Sequence, residues 1–168
     1  NCTSLASQFV NVTNLCSETT GLQETKLTEC EQIRIAKELR SKGWNAAFGK
    51  PLPPWRNELD AKPGGVAIAA NHEVRTVMPE KGDEDGTWLW ETTRFVHAVT
   101  RYGTEIWHVC SACGFTNAAI NLEARELNEQ FLRRIFRYIT GLGAVPVVLT
   151  GGLNTDPEHS AVRATALH

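Results

Sequence analysis

Val145-Pro146-Val147-Val148-Leu149-Thr150-Gly151-Gly152-Leu153-Asn154-Thr155-Asp156-Pro157 decides how this chain is read. A short apolar run, rich in β-branched residues, stops at two glycines. That pattern predicts a buried strand over Val145–Thr150 that delivers a loop to the edge of a sheet. The glycines let the backbone turn sharply or come close to a ligand. Asn154 and Asp156 then stand beyond the strand's carboxyl end, a common address for chemistry in proteins that mix helices and sheets. The same residue types also make plain turns, so the segment needs a second one beside it. Gly21-Leu22-Gln23-Glu24-Thr25-Lys26-Leu27 supplies it. Thr19 to Gln23 reads as a short strand that ends at Glu24. Two strands ending in Glu24 and Asn154 can bring a carboxylate and an amide to one sheet edge. Such a pair suits Mg²⁺ and a phosphate oxygen, because Mg²⁺ takes hard oxygen ligands and often only one or two protein carboxylates.

The rest of the chain reads as alternating groups of elements. Thr3 to Leu15 has apolar residues at steps of three and four, which predicts a short helix. Thr28 and Glu31 have capping-box spacing and open a helix over Thr28–Lys42, closed at Gly43. Trp44 to Phe48 reads as the next strand. Lys50 to Gly64 carries four prolines and reads as a loop. Gly65–Ala70 and Glu73–Met78 read as one hairpin, and Phe95–Thr100 and Glu105–Ala112 as a second, with Tyr102-Gly103 at its turn. Pro79 to Gly86 reads as an acidic turn. Leu122–Leu142 is the clearest helix, with Leu122, Leu127, Phe131, Ile135, Tyr138, Ile139 and Leu142 on one stripe. Hairpins separated by helices predict a layered α+β protein.

Composition sets outer limits. The chain has 168 residues, 42% of them hydrophobic, which suits one domain with a real core. Its 17 basic and 19 acidic residues leave a formal charge of −2, so bulk charge does not announce a nucleic-acid or membrane binder. No apolar run approaches a membrane span. The five cysteines are an odd number with no visible disulfide framework, which predicts a reducing, intracellular compartment, the nucleus included. The chain opens at Asn1, not Met, and reads as a fragment or a processed product. Cys110-x-x-Cys113 with His108 lacks the four ligands of a zinc site, and core thiols are the plainer reading. The five tryptophans, Trp88-Leu89-Trp90 beside a loop foremost, suit core packing better than base stacking. Arg133, Arg134 and Arg137 share their helix with Glu126 and Glu129, as a solvated face does.

Leu22-Gln23-Glu24-Thr25-Lys26 resembles the LQET-K motif of the endonuclease/exonuclease/phosphatase superfamily, which includes abasic-site, DNase I-like and retroelement-type endonucleases. Asn1-Cys2-Thr3-Ser4-Leu5 resembles that superfamily's opening N-x-x-x-L segment. Gly64-Gly65-Val66-Ala67-Ile68 resembles its G-G-V-A strand, and Pro146 to Gly151 resembles the strand leading to its G-D-F-N motif. The resemblance runs from Asn1 to about Pro157. It implies an α+β fold of two sheets in a sandwich flanked by helices, four layers in all and DNase I-like, with the C-terminal part missing. Residues 1–157 would be a partial domain and residues 158–168 a loose tail. It implies Glu24 as the metal ligand for Mg²⁺, with Mn²⁺ as the other candidate ion, weakly bound. Asn1 and Asn154 would hold the phosphate and the attacking water. The implied function is Mg²⁺-dependent phosphodiester hydrolysis with DNA as the foremost partner, ahead of a phosphorylated lipid or small molecule. A non-catalytic nucleic-acid-binding module of the same fold is the alternative.

The departures from the superfamily pattern matter as much. Gly152 stands where G-D-F-N has its Asp, the group expected to position or deprotonate water. Asp156, two residues past Asn154, is the nearest carboxylate that could stand in, if the turn bends back. Cys113 stands where a Tyr is often found. The superfamily's C-terminal Asp-His segment has no counterpart, since His159 and His168 follow Pro157 too soon. The resemblance with these gaps implies a weak or inactive hydrolase.

Overall fold

A computed structural model describes residues 18–53, 64–118 and 120–154. Asn1, Asp156, the expected helix over Thr3–Leu15 and the tail lie outside them. Two sheets carry the described chain. The first has order β1-β3-β2, from β1 (Thr19–Gln23), β3 (Val66–Ala70) and β2 (Asn45–Phe48), all antiparallel. The second has order β4-β5-β6-β7, from β4 (Val74–Thr76), β5 (Phe95–Tyr102), β6 (Glu105–Cys113) and β7 (Val147–Gly152). Its last pair, β6 and β7, is parallel, joined through a long helix.

Strand periodicity assigns the layers. Ala47, Val66, Ile68, Ala70, Val96, Ala98, Val109 and Cys113 alternate onto the inner faces and form the core between the sheets. Leu22, Ala67 and Ala69 point the other way, onto Ile35 and Leu39 of α1 (Glu29–Ser41). Phe95, Cys110 and Ala112 face Leu89 of α2 (Glu84–Glu91) and Phe131 and Ile135 of α3 (Leu122–Gly141). The result is the expected four layers, helix–sheet–sheet–helix. Thr28 accepts from the α1 backbone and Glu31 reaches back to the Thr28 N–H at 2.7 Å, the reciprocal cap its spacing predicts.

Four expectations are corrected. Gly65–Ala70 and Glu73–Met78 are not a hairpin. Every residue of β3 is buried and both its edges are taken by β1 and β2, so β4 crosses to the second sheet and pairs with β5. The acidic turn ends early, because Asp83 accepts from the Gly86 N–H at 2.8 Å and starts α2, which carries Trp88-Leu89-Trp90 on a helix and not beside a loop. Val145–Thr150 is shifted and is not a buried strand. Val147–Gly152 is the edge of its sheet among the described residues, with Val148 41% exposed. Apolar alternation alone cannot separate a central strand from an edge whose outer face is open. In α3, Leu122 and Leu127 are exposed, while Asn128 and Leu132 join Phe131 and Ile135 in the core.

Gly21 governs how the two sheets meet. A side chain there would lie 2.5 Å from Thr150 Cγ2, so only glycine lets β1 come this close to β7. That approach places the two strand ends side by side.

Candidate functional site

The strand ends meet through side chains on backbone. Gln23 Oε1 accepts from the Gly152 N–H at 2.9 Å, tying the end of β1 to the end of β7. One residue on, Glu24 leaves the strand with φ +55°. A left-handed glutamate is uncommon and has to be held by its surroundings. The restraints are visible. The Gly64 N–H donates to Glu24 Oε2 at 3.2 Å, and the Thr25 N–H donates to the Gly65 carbonyl at 3.0 Å. The Cys113 thiol donates to Glu24 Oε1 at 3.2 Å.

Asn154 is also left-handed, at φ +47°, and its Nδ2 donates to the Gly114 carbonyl at 2.9 Å. The Gly114 N–H in turn donates to the Gly152 carbonyl at 2.8 Å. Glu24 and Asn154 therefore both bond to the Cys113–Gly114 turn at the end of β6. Glycine is needed at Gly114, because a Cβ would fall 2.2 Å from the Leu153 carbonyl oxygen.

Two buried polar residues fix that turn, and the sequence reading assigned neither of them. Arg94, 5% exposed, donates from Nη1 to the Gly114 carbonyl at 2.9 Å and the Cys113 carbonyl at 3.2 Å, with its guanidinium over the Phe115 ring. Asn128 of α3, 2% exposed, accepts from the Phe115 N–H at 2.9 Å and donates to the Leu153 carbonyl at 2.8 Å. The signal for Asn128 was present, since it lies three residues before Phe131 on an apolar stripe. A polar residue on such a stripe is a bonded one far more often than an error of pattern. Arg94 sits at the start of a strand and gave no signal.

Burial pushes the Cys113 thiol up to about 11, and the carboxylate of Glu24 beside it adds to the shift. The thiol is protonated at neutral pH and serves as a hydrogen-bond donor. Cys110 points to the other side of β6 and is pushed up to about 12 by burial alone. The pair is thus split across two layers, which removes the zinc and redox readings of Cys110-x-x-Cys113. Among the described residues no group of three or more His, Cys, Asp or Glu side chains converges on one point. Gly152 itself brings no carboxylate to the cleft. Asn1 and Asp156 lie outside the described residues, so the structure brings Glu24 and Asn154 together and is silent on the other two.

No protein-family model matches the sequence, and no curated protein matches it either. Solved structures do match. The 3'-5' exonuclease NExo from Neisseria meningitidis aligns with a TM-score of 0.64 at 20% identity, over 94% of this chain and 57% of its own. Danio rerio TDP2, solved with a single-stranded DNA product, aligns with a TM-score of 0.58 at 14% identity, over 94% of this chain and 57% of its own. Sphingomyelinase C from Streptomyces griseocarneus aligns with a TM-score of 0.58 at 19% identity, over 96% of this chain and 60% of its own. The chain shares the DNase I-like sandwich fold of these neighbours. At these identities the likeness shows the fold alone. The chain spans about three fifths of the length of these neighbours. No helix among the described residues is long and apolar enough to cross a membrane.

Proposed function

We propose that this chain carries part of a metal-dependent phosphodiester-hydrolysing site, with DNA as the foremost substrate, and that it works weakly or not at all as it stands. One observation carries the reading. Glu24 and Asn154, 130 positions apart, are bonded to the same two-residue turn, in strained conformations that the surrounding bonds enforce. The neighbours solved with a DNA product support DNA over a lipid, although a sphingomyelinase shares the fold.

The donor set fits Mg²⁺ or Mn²⁺ sparingly. Glu24 is the carboxylate that the described residues offer beside Asn154, and Mg²⁺ accepts one carboxylate when waters and a substrate phosphate complete its shell. When bound, such an ion polarises a phosphoryl oxygen and a water. The residues do the rest. Glu24 would hold the ion. Asn154, anchored on Gly114, would orient a phosphate oxygen or the attacking water. Arg94 and Asn128 keep the turn in place. Gly152 removes the group that would take the water's proton, and losing a positioned base costs on the order of 10²–10⁴-fold in rate.

The alternative is a nucleic-acid-binding module of the same fold without catalysis, and Gly152 favours it. The test is Mg²⁺-dependent cleavage of an abasic or plain DNA duplex by the unmodified chain and by Glu24→Gln, with duplex binding measured in parallel. Slow cleavage that Glu24→Gln abolishes supports the hydrolase. Duplex binding without cleavage by either protein supports the binding module. Fast, EDTA-sensitive cleavage by the unmodified chain contradicts the proposed weakness and points to Asp156 as the base.

A further inference from the structure

We infer that Tyr138, His97 and His108 form a proton-responsive latch between α3 and the second sheet, which reverses direction without breaking when the histidine pair takes up one proton and opens only when it takes up a second. The inference is independent of what the cleft does. His97 on β5 and His108 on β6 point to the same face as Phe95 and Cys110, the face that α3 covers. His97 is 2% exposed and His108 is half-buried. The Tyr138 hydroxyl lies 2.8 Å from His97 Nδ1, and His97 Nε2 lies 2.9 Å from His108 Nδ1. Both ring nitrogens of His97 are therefore engaged, one with a helix and one with the neighbouring strand. The helix is the one whose Asn128 holds the turn beside Glu24 and Asn154.

Each contact holds one proton between its two heavy atoms. A neutral imidazole has a single N–H, so only two arrangements satisfy both contacts. In the first, the Tyr138 O–H donates to His97 Nδ1 and the His97 Nε2–H donates to His108 Nδ1. In the second, the His108 Nδ1–H donates to His97 Nε2 and the His97 Nδ1–H donates to the Tyr138 oxygen. The neutral pair favours the first, because a phenol is the stronger donor and an imidazole nitrogen the stronger acceptor. One added proton leaves only the second, since His108 then carries an N–H on both ring nitrogens. The His97 Nε2 proton ends on His108 Nδ1, the Tyr138 proton ends on His97 Nδ1, and the added proton ends on the Tyr138 oxygen. The single positive charge rests on His108. A second proton, on His97, sets N–H against N–H across the 2.9 Å contact and places two cations side by side, so the latch opens. Burial, and then the charge of His108, lowers His97 to about 4, which keeps that second step apart from the first. Burial holds the Tyr138 proton well above its ordinary range, and Cys110, Asp83 and Glu80 add to the shift. The groups that bear on the latch are thus His108 and the neutral Cys110 thiol on β6, and Asp83 and Glu80 at the approach to α2. Their negative charge suits the Tyr138 O–H once the reversal frees it.

The test is NMR on the full chain with its histidines labelled with ¹⁵N, because ring-nitrogen shifts report which nitrogen carries the proton. As the pH falls from mildly alkaline, the His97 proton should move from Nε2 to Nδ1 in step with proton uptake by His108. His97 should stay neutral through that step and become doubly protonated only on further acidification. His108→Gln, which cannot take up the proton, should hold His97 in one tautomer over the same range. Tyr138→Phe removes the hydroxyl at the helix end of the latch. It should speed exchange of the α3 amides around residue 138 at neutral pH by about five- to tenfold, the worth of one hydrogen bond. A His97 tautomer that stays put while His108 takes up its proton overturns the inference, as does a first proton that lands on His97. Exchange in Tyr138→Phe as slow as in the unmodified chain overturns it too. Should His108→Gln fail to fold, the titration of the unmodified chain and the Tyr138→Phe exchange decide between them.

Discussion

Gly151 and Gly152 adjoin in sequence and have opposite surroundings. A Cβ on Gly151 would lie 1.8 Å from the Ala112 carbonyl oxygen, and its φ is +139°. Gly151→Ala should therefore cost about 2 kcal/mol or more in urea unfolding. A Cβ on Gly152 meets only Gln23 Oε1, at 3.0 Å, the tip of a flexible side chain. Gly152→Asp should fold with stability within about 1 kcal/mol of the parent. A second residue-scale prediction concerns His97, which is 2% exposed between Tyr138, His108 and Cys110. Its Nδ1 lies 2.8 Å from the Tyr138 hydroxyl and its Nε2 lies 2.9 Å from His108 Nδ1. Burial, and then the charge of His108, lowers its pKa from 6.5 to about 4. The folded value lies below the unfolded one, so the unfolded chain takes up this proton first. The contribution is complete above pH 6.5 and is lost as the pH falls from 6.5 towards 4. Between pH 7 and pH 4.5 the loss should be on the order of 2 kcal/mol. Unfolding of His97→Gln should show a pH dependence shallower by that amount, and parallel curves would contradict the assignment.

At the scale of elements, α3 is a strap as well as a cover. Asn128 joins the Phe115 N–H to the Leu153 carbonyl, on the two chain segments that flank Gly114 and Asn154. Asn128→Leu keeps the volume and leaves both backbone groups buried without their partner. That should cost about 2–4 kcal/mol in urea unfolding and speed amide exchange at Phe115, with an unchanged midpoint as the contradicting result. The elements also show where sequence patterns suffice. The α1 boundaries followed from the Thr28–Glu31 pair, and the β5–β6 hairpin from its Gly103 turn. The fate of β4 could not be read, because pairing depends on which strand edges remain open once β1 and β2 have taken those of β3. α2 was missed because Gly86 and two tryptophans give eight residues no helical signature until Asp83 caps them. β7 was recognised as a strand but not as an edge, since exposure of Val148 depends on what lies beside it.

The whole molecule joins Glu24 and Asn154 through a fold that neither residue specifies. Both were legible as strand-end residues, and their meeting was legible from the order of motifs. The turn that unites them was not, because Arg94 and Asn128 act by burial and only the folded chain shows what they bond. Gly21 sets the distance between the sheets, and its role appears only when Thr150 is seen opposite it. The central claim is that this junction is a hydrolytic site lacking one group, and Gly152→Asp supplies that group at the place where the geometry admits it. The decisive measurement is the Mg²⁺-dependent rate of DNA duplex cleavage by the unmodified chain, by Gly152→Asp, and by Gly152→Asp combined with Glu24→Gln. The account predicts a gain of at least about tenfold from Gly152→Asp, inside the range of a positioned acid–base group, and its loss in the double variant. A gain that survives Glu24→Gln, or a correctly folded Gly152→Asp no faster than the unmodified chain, would contradict it.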